Sequence, residues 1–205
     1  MPVSLTEMVY EEEDFADVDL SGESLEEISF SDCDFTDASL ANARTRRVTF
    51  DRCRFIGTEL YGSAHQSTSF TSCTFERSAW HGGSLTGCRF TGSSFTDCRL
   101  VPLTIRDCDL TLVSLAGAKL TGTDLSGLRM REVNLVGANL SGCDLRRADL
   151  SGARCGGLDL SGADLRGARC DAGLWVGSTL TGAVVDVEQA VLYAASHGLV
   201  LEPDG

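Results

Sequence analysis

Large apolar residues fall on every fifth position of this chain. The run opens Phe15, Leu20, Leu25, Phe30, Phe35, Leu40 and continues to Leu180 and Val185. Of the 35 positions divisible by five from 15 to 185, 26 are Phe or Leu, and these include all nine Phe of the chain. A five-residue period fits neither the 3.6 of a helix nor the 2.0 of an ordinary strand, so the chain must turn a corner once per unit. Two residues before most of the large side chains stands a small one, as at Cys33, Ala38, Cys53, Cys73, Ala138, Ala148 and Ala163, and two residues after it stands Gly in 17 units. The unit is nearly pure in Ala148-Asp149-Leu150-Ser151-Gly152 and Ala163-Asp164-Leu165-Arg166-Gly167.

A second period fixes the geometry. Phe15, Phe35, Phe55, Phe75 and Phe95 recur every 20 residues, as do Phe30, Phe50, Phe70 and Phe90. Four units therefore make one roughly square coil, with the large and small residues inward and the other three positions facing water. Coils stacked at the sheet spacing of about 4.8 Å turn 35 units into a rod of roughly 42 Å. The expected fold class is an all-β solenoid with Phe stacked over Phe inside.

The remaining composition mostly excludes. A chain of 205 residues suits one domain, and no apolar stretch approaches the roughly 18 residues of a membrane helix. The N-terminal residues lack the basic start and apolar run of a secretory signal, so the expectation is a cytoplasmic protein with no membrane partner. The nine Cys contain no C-x-x-C pair and all lie on inward slots, where they act as reduced, small hydrophobes. The three His are too scattered for a metal site or a catalytic triad, and the glycines open no helix as a phosphate loop would. No catalytic residue, metal or cofactor is expected, and the chain does not read as an enzyme. Residues 1–43 hold 13 Asp and Glu with no Lys or Arg, within a net charge of −13. Such a balance excludes direct nucleic-acid binding through a phosphate-neutralising patch.

On this repeat the chain resembles the pentapeptide-repeat family, which implies a right-handed quadrilateral β-helix over residues 13–185. Three segments resemble the mycobacterial fluoroquinolone-resistance branch of that family: Cys98-Arg99-Leu100-Val101-Pro102-Leu103-Thr104-Ile105, the stretch from Leu145 to Arg154, and the tail from Val185 to Leu199. That resemblance implies a homodimer and a DNA mimic that binds and inhibits DNA gyrase. The alternative is a scaffold or immunity factor with a partner other than gyrase.

The ends should depart from the repeat. Residues 1–12 read as a loosely ordered extension and 186–205 as a helical cap and dimerisation segment. Asp186 is a plausible N-cap, and Val187, Ala190, Val191 and Ala194 form an apolar face at i, i+3, i+4 and i+7 before Gly198. Leu199, Val200 and Leu201 add further apolar surface, serving either a cap over the last coil or the dimer seam that the resemblance implies. Inside the rod, Thr45 and His65 suggest a distorted, partly open corner, Pro102 a bend or loosened coil, and Trp80 and Trp175 a bulged wall.

Adding 20 to a residue number places charges on the outer faces. Arg89, Asp109, Arg129, Asp149 and Arg169 alternate on one, and Glu26 over Arg46 and Glu27 over Arg47 pair on another. Three stacks are like-charged: Asp14 over Asp34, Asp17 over Asp37, and Asp124 over Asp144 over Asp164. Like charges directly opposite destabilise a sheet, so these stacks either bind a positive partner or are tolerated through screening. In a dimer joined at its tails the Asp124 stack lies toward the centre and is the expected binding face, leaving the N-terminal four at the far ends.

Overall fold

The computed structural model describes residue 5 and residues 7–200, which form a parallel β-solenoid of about nine coils. Every ladder joins residues 20 apart, as the Phe columns require. One face runs Val9–Glu11, Ser29–Ser31, Thr49–Asp51, Ser69–Thr71, and another runs Ser24–Glu26, Arg44–Arg46, Ala64–Gln66, Ser84–Thr86, Thr104–Arg106. The Val9–Glu11 strand starts the ladder ahead of the expected boundary at 13. Tyr10 takes the large inward slot there, its ring stacked 5.2 Å from Phe30. The run Glu11 to Asp14 that follows it, with an acid where a small residue normally stands, concealed this in the sequence.

The corner residue two after each large side chain adopts a left-handed backbone. Of the 35 corner positions from 12 to 182, sixteen Gly and sixteen other residues have positive φ, leaving Pro102, Ala172 and Gly177 as exceptions. Gly has no Cβ to clash there, and Asp and Asn tolerate the region better than most. At Gly57, an added Cβ would also lie 2.2 Å from Asp37 Oδ1.

Inward, two Phe columns stack face to face and meet edge to face. Phe35 lies 5.0 Å from Phe15 and 5.0 Å from Phe55, and Phe30 meets Phe35 at 5.4 Å with planes 78° apart, the geometry that ring quadrupoles favour. Small inward side chains satisfy their polar atoms locally: Thr58 Oγ1 donates to Phe35 O at 2.7 Å and Ser93 Oγ to Phe70 O at 2.7 Å. The nine thiols are free, seven of them buried, and burial pushes the Cys98 and Cys143 thiols up, the latter to about 11.

Thr45 and His65 do not open the corner. His65 is buried, with Nδ1 2.8 Å from Thr45 Oγ1 and Nε2 2.9 Å from Ser63 Oγ, while Thr45 Oγ1 lies 2.7 Å from Thr68 Oγ1. Ser63 Oγ donates to Leu60 O, so it accepts from His65 Nε2–H, and Nδ1 accepts from Thr45. Satisfied polar groups let the coil close. Trp80 does not bulge the wall either: it is fully buried, Nε1 donates to Ser78 Oγ at 3.1 Å, and the ladder through Glu59, Ala79 and Arg99 is unbroken.

Trp175 does alter the wall. It sits in helix α1, Ala172–Gly177, which replaces one side of the last coil and buries Leu174 and Trp175. A second helix, α2, spans Val187–Ser196 with Asp186 as N-cap in a capping box with Gln189.

Candidate functional site

The acidic stacks form in the expected register. Asp14 bridges Asp34, and Asp124 bridges Asp144, which bridges Asp164; Asp17 and Asp37 occupy left-handed corners on one edge. The position before each large residue has a local purpose. Oδ1 of Asp14, Asp34, Asp124, Asp144 and Asp164 each accepts the backbone N–H two residues on, at 2.9 to 3.2 Å. Asn134 and Asn139 make the same bond to Val136 and Ser141. These carboxylates therefore close their own turns.

Cations cover part of the stacks. Arg146 pairs with Asp144 at 2.5 Å and approaches Asp164 at 3.8 Å, while Arg166 pairs with Asp164 at 2.6 Å. The Arg166 hydrogen bond holds Asp164 down at about 2, and the Arg146 hydrogen bond holds Asp144 below the usual carboxylate range. Only Asp124 of the three lacks a cation within 4.0 Å among the described residues. At the other end Arg54 reaches Asp34 at 3.7 Å, Arg52 pairs with Asp32, and Arg46 and Arg47 pair with Glu26 and Glu27.

The first coil differs. Residues 8–27 carry nine acids and no base, whereas residues 28–187 carry 17 acids and 17 bases. Among the described residues no cation lies within 4.0 Å of Glu11, Glu12, Glu13, Asp14, Asp17, Asp19 or Glu23. The strongest negative field thus sits at the N-terminal tip rather than on the C-terminal stack.

The C-terminal end is apolar. Gln189, buried in α2, donates from Nε2 to Leu165 O and Ala168 O and so caps exposed carbonyls of the coil beneath. Much of the expected apolar face is exposed in the single chain: Val187 is 81% and Val191 45% exposed, Ala194 is half-buried, and Leu199 and Val200 are 63% and 86% exposed. Gln189, not an apolar residue, anchors the helix, because open carbonyls need a donor. Leu201 lies outside the described residues. A cavity of ≈490 Å³ lies between α2 and the last coil, lined by Trp175, Leu180, Val185 and Tyr193 among others.

The sequence model described as Pentapeptide repeats matches eight copies, over residues 14–44, 28–63, 108–147 and 129–167. The chain belongs to the pentapeptide-repeat family. No curated protein sequence matches it significantly. Among solved structures, this pentapeptide-repeat protein is similar to full-length QnrB1, a plasmid-mediated fluoroquinolone resistance protein, at 22% identity and TM-score 0.81, covering 93% of this chain and 97% of that one. It is also similar to HetL, involved in heterocyst differentiation regulation in the cyanobacterium Nostoc sp. strain PCC 7120, at 22% identity and TM-score 0.51, covering 89% and 90%. At these identities the likeness is one of fold.

Sequence reasoning on the pentapeptide repeat missed Gln189 as the anchor; it put Arg146 and Arg166 on the same face as the acidic stack, diluting its charge, and the structure folds them onto Asp144 and Asp164. The spacing of two residues from Asp to Arg was visible; what it does depends on the Arg side chain folding back along the face.

Proposed function

We propose that this pentapeptide-repeat protein binds DNA gyrase on the basic surface that holds DNA, inhibits it as a partial DNA mimic, and thereby acts in fluoroquinolone resistance. The observation that carries this reading is a rod, of the same fold as QnrB1 over 93% of the chain, with a net charge of −13 and a first coil that carries nine acids and no base. Two rods joined through the exposed Val187, Val191, Leu199 and Val200 end make a homodimer of roughly 80 to 90 Å, twice the single-rod length, with an acidic tip at either end. Such a body competes for a cationic surface through steering and charge complementarity. It needs no cofactor and performs no chemistry.

The near-neutral stretch 28–187 favours a second reading, a scaffold or immunity factor for another protein. Titration into a gyrase supercoiling assay, with and without a fluoroquinolone, separates the two. Dose-dependent inhibition that weakens steeply as salt rises, with a Debye length of about 8 Å at physiological ionic strength, supports gyrase. No inhibition at tens of micromolar sinks the gyrase reading and leaves the scaffold.

A further inference from the structure

The backbone ladder breaks in the middle of the rod. From Phe15 to Leu150, every other large inward residue donates its N–H to the carbonyl 19 residues on, as Phe95 does to Ser114 and Leu115 to Asn134. Leu100 and Ile105 make no such bond, and no backbone hydrogen bond joins residues 97–107 to residues 116–127. Each lip is firmly held on its far side: Arg99 N donates to Ser78 O and Thr104 N to Gly83 O above, Leu120 N to Asn139 O and Leu125 N to Asp144 O below. The other two faces stay joined at this level, through Phe95 to Ser114 and Leu110 to Arg129. The result is a slit across two faces, with the amides of Leu100, Ile105, Lys119 and Asp124 left unpaired along its lips.

The slit reaches the core. Cys98, Leu103, Ile105 and Ala118 are only half-buried, at slots that are closed in most other coils. Beside them lies a cavity of ≈210 Å³, floored by Phe95, Leu100 and Ala118 with Asp97 and Lys119 at its rim. Arg99 and Lys119 occupy the same slot on opposite lips, and neither has a carboxylate within 4.0 Å among the described residues. Unpaired amides and carbonyls along a sheet edge template the addition of a strand. A neighbouring pocket selects one side chain, and two unpaired cations favour an acidic neighbour to it.

We propose that this mid-rod slit is a docking site for an extended segment of a partner protein, which adds as a β-strand between the two lips, places an apolar side chain in the ≈210 Å³ cavity and an acidic one against Arg99 and Lys119. The lips hinge on the two intact faces, so opening to the roughly 9.6 Å that an inserted strand needs leaves both halves of the rod folded. The site stands apart from the gyrase reading, whose charge lies on the first coil.

The test uses the full chain and a blocked eight-residue peptide alternating Val and Asp, with a Val and Lys peptide as control. In the free protein the amides of Leu100, Ile105 and Lys119 should exchange with solvent at least about tenfold faster than those of Phe95 and Leu115. The Val and Asp peptide should bind saturably by fluorescence anisotropy and protect those amides, while the Val and Lys peptide binds at least about tenfold more weakly. Lys119→Glu, at an exposed position, should reverse that preference, and Ala118→Trp should block both peptides by filling the cavity. Amides at Leu100 and Ile105 as slow as at Phe95 would show a closed slit and overturn the proposal. So would absence of saturation at millimolar peptide, or protection confined to the first-coil edge.

Discussion

Arg146 stands between two carboxylates of one stack, 2.5 Å from Asp144 and 3.8 Å from Asp164, so that the acidic ladder carries its own counter-ion. Asp144 and Asp164 also each accept a turn N–H. A stack that reads from sequence as a negative stripe diluted by nearby Arg is, in the fold, a set of turn closures with guanidinium groups laid along it. Repulsion between successive Asp is thereby offset locally, and what remains for a partner is small.

The first prediction concerns pH. Asp164 is held at about 2 by the Arg166 hydrogen bond, and Asp144 is lowered by that of Arg146. Their folded values lie below the unfolded value of about 3.9, so their stabilising contribution is present above pH 4 and lost as pH falls toward 2. Replacing Arg146 and Arg166 by Gln should return both carboxyl titrations toward 4 in a carboxyl NMR experiment. If the two midpoints stay where they are, the Arg contacts are not what lowers them.

The aromatic core gives a stability prediction. Phe55 is fully buried between Phe35 at 5.0 Å and Phe75 at 4.8 Å. Phe55→Ala leaves a cavity in the stack and should cost about 3–5 kcal/mol, read from chemical denaturation. A loss below about 1 kcal/mol would mean the column collapses onto the gap and that stacking matters little.

His65 supplies a second pH signature of opposite origin. Burial pushes its imidazole down to about 3, so the folded protein keeps it neutral while the unfolded chain takes up a proton below about 6.5. Stability from this residue is therefore complete above pH 6.5 and falls by roughly 1.4 kcal/mol per pH unit between about pH 6 and 4. His65→Leu restores the residue type of Leu25 and Leu85 on the same face and should remove that slope. An unchanged slope in the variant would assign the acid sensitivity to other groups.

His65 also marks the limit of what was legible in the sequence. The five- and twenty-residue periods fixed the coil, the register and the Phe columns, because packing in a solenoid repeats whatever the chain repeats. Loosening near Pro102 was legible as a broken slot, and the Asp186 cap as a helix signal. Thr45 and His65 were misread as an open corner, since the partners that satisfy them, Ser63 and Thr68, look like ordinary small slots until the coil is closed. Helix α1 was invisible because Trp175 keeps the five-residue rhythm while the backbone around it does not. The cover of Arg146 and Arg166 over the Asp stack is a matter of side-chain direction, to which no period speaks.

The proposed dimer predicts a clean monomer. Val191 lies outward on α2, 45% exposed in the single chain, and Val191→Asp should place an unpaired charge in the seam, which is strongly disfavoured. Light scattering at micromolar concentration should report the parent as a dimer and the variant as half its mass, with the β spectrum unchanged. A parent that is already monomeric would leave α2 as a cap alone.

The last prediction ranks the two acidic regions. Changing Glu11, Glu12 and Glu13 to Gln and Asp14 and Asp17 to Asn removes five charges from a coil with no base, whereas changing Asp124, Asp144 and Asp164 to Asn removes three, two of which already face Arg. Asn preserves the turn acceptor, as Asn134 and Asn139 show, so both variants should fold. The tip variant should weaken gyrase inhibition about tenfold or more, since uncompensated charge sets long-range attraction. The stack variant should stay within about threefold of the parent, because its screened charges contribute little at a distance. The reverse order, with the stack variant inactive and the tip variant normal, would move the binding face to the C-terminal half and make the exposed Asp124 its centre.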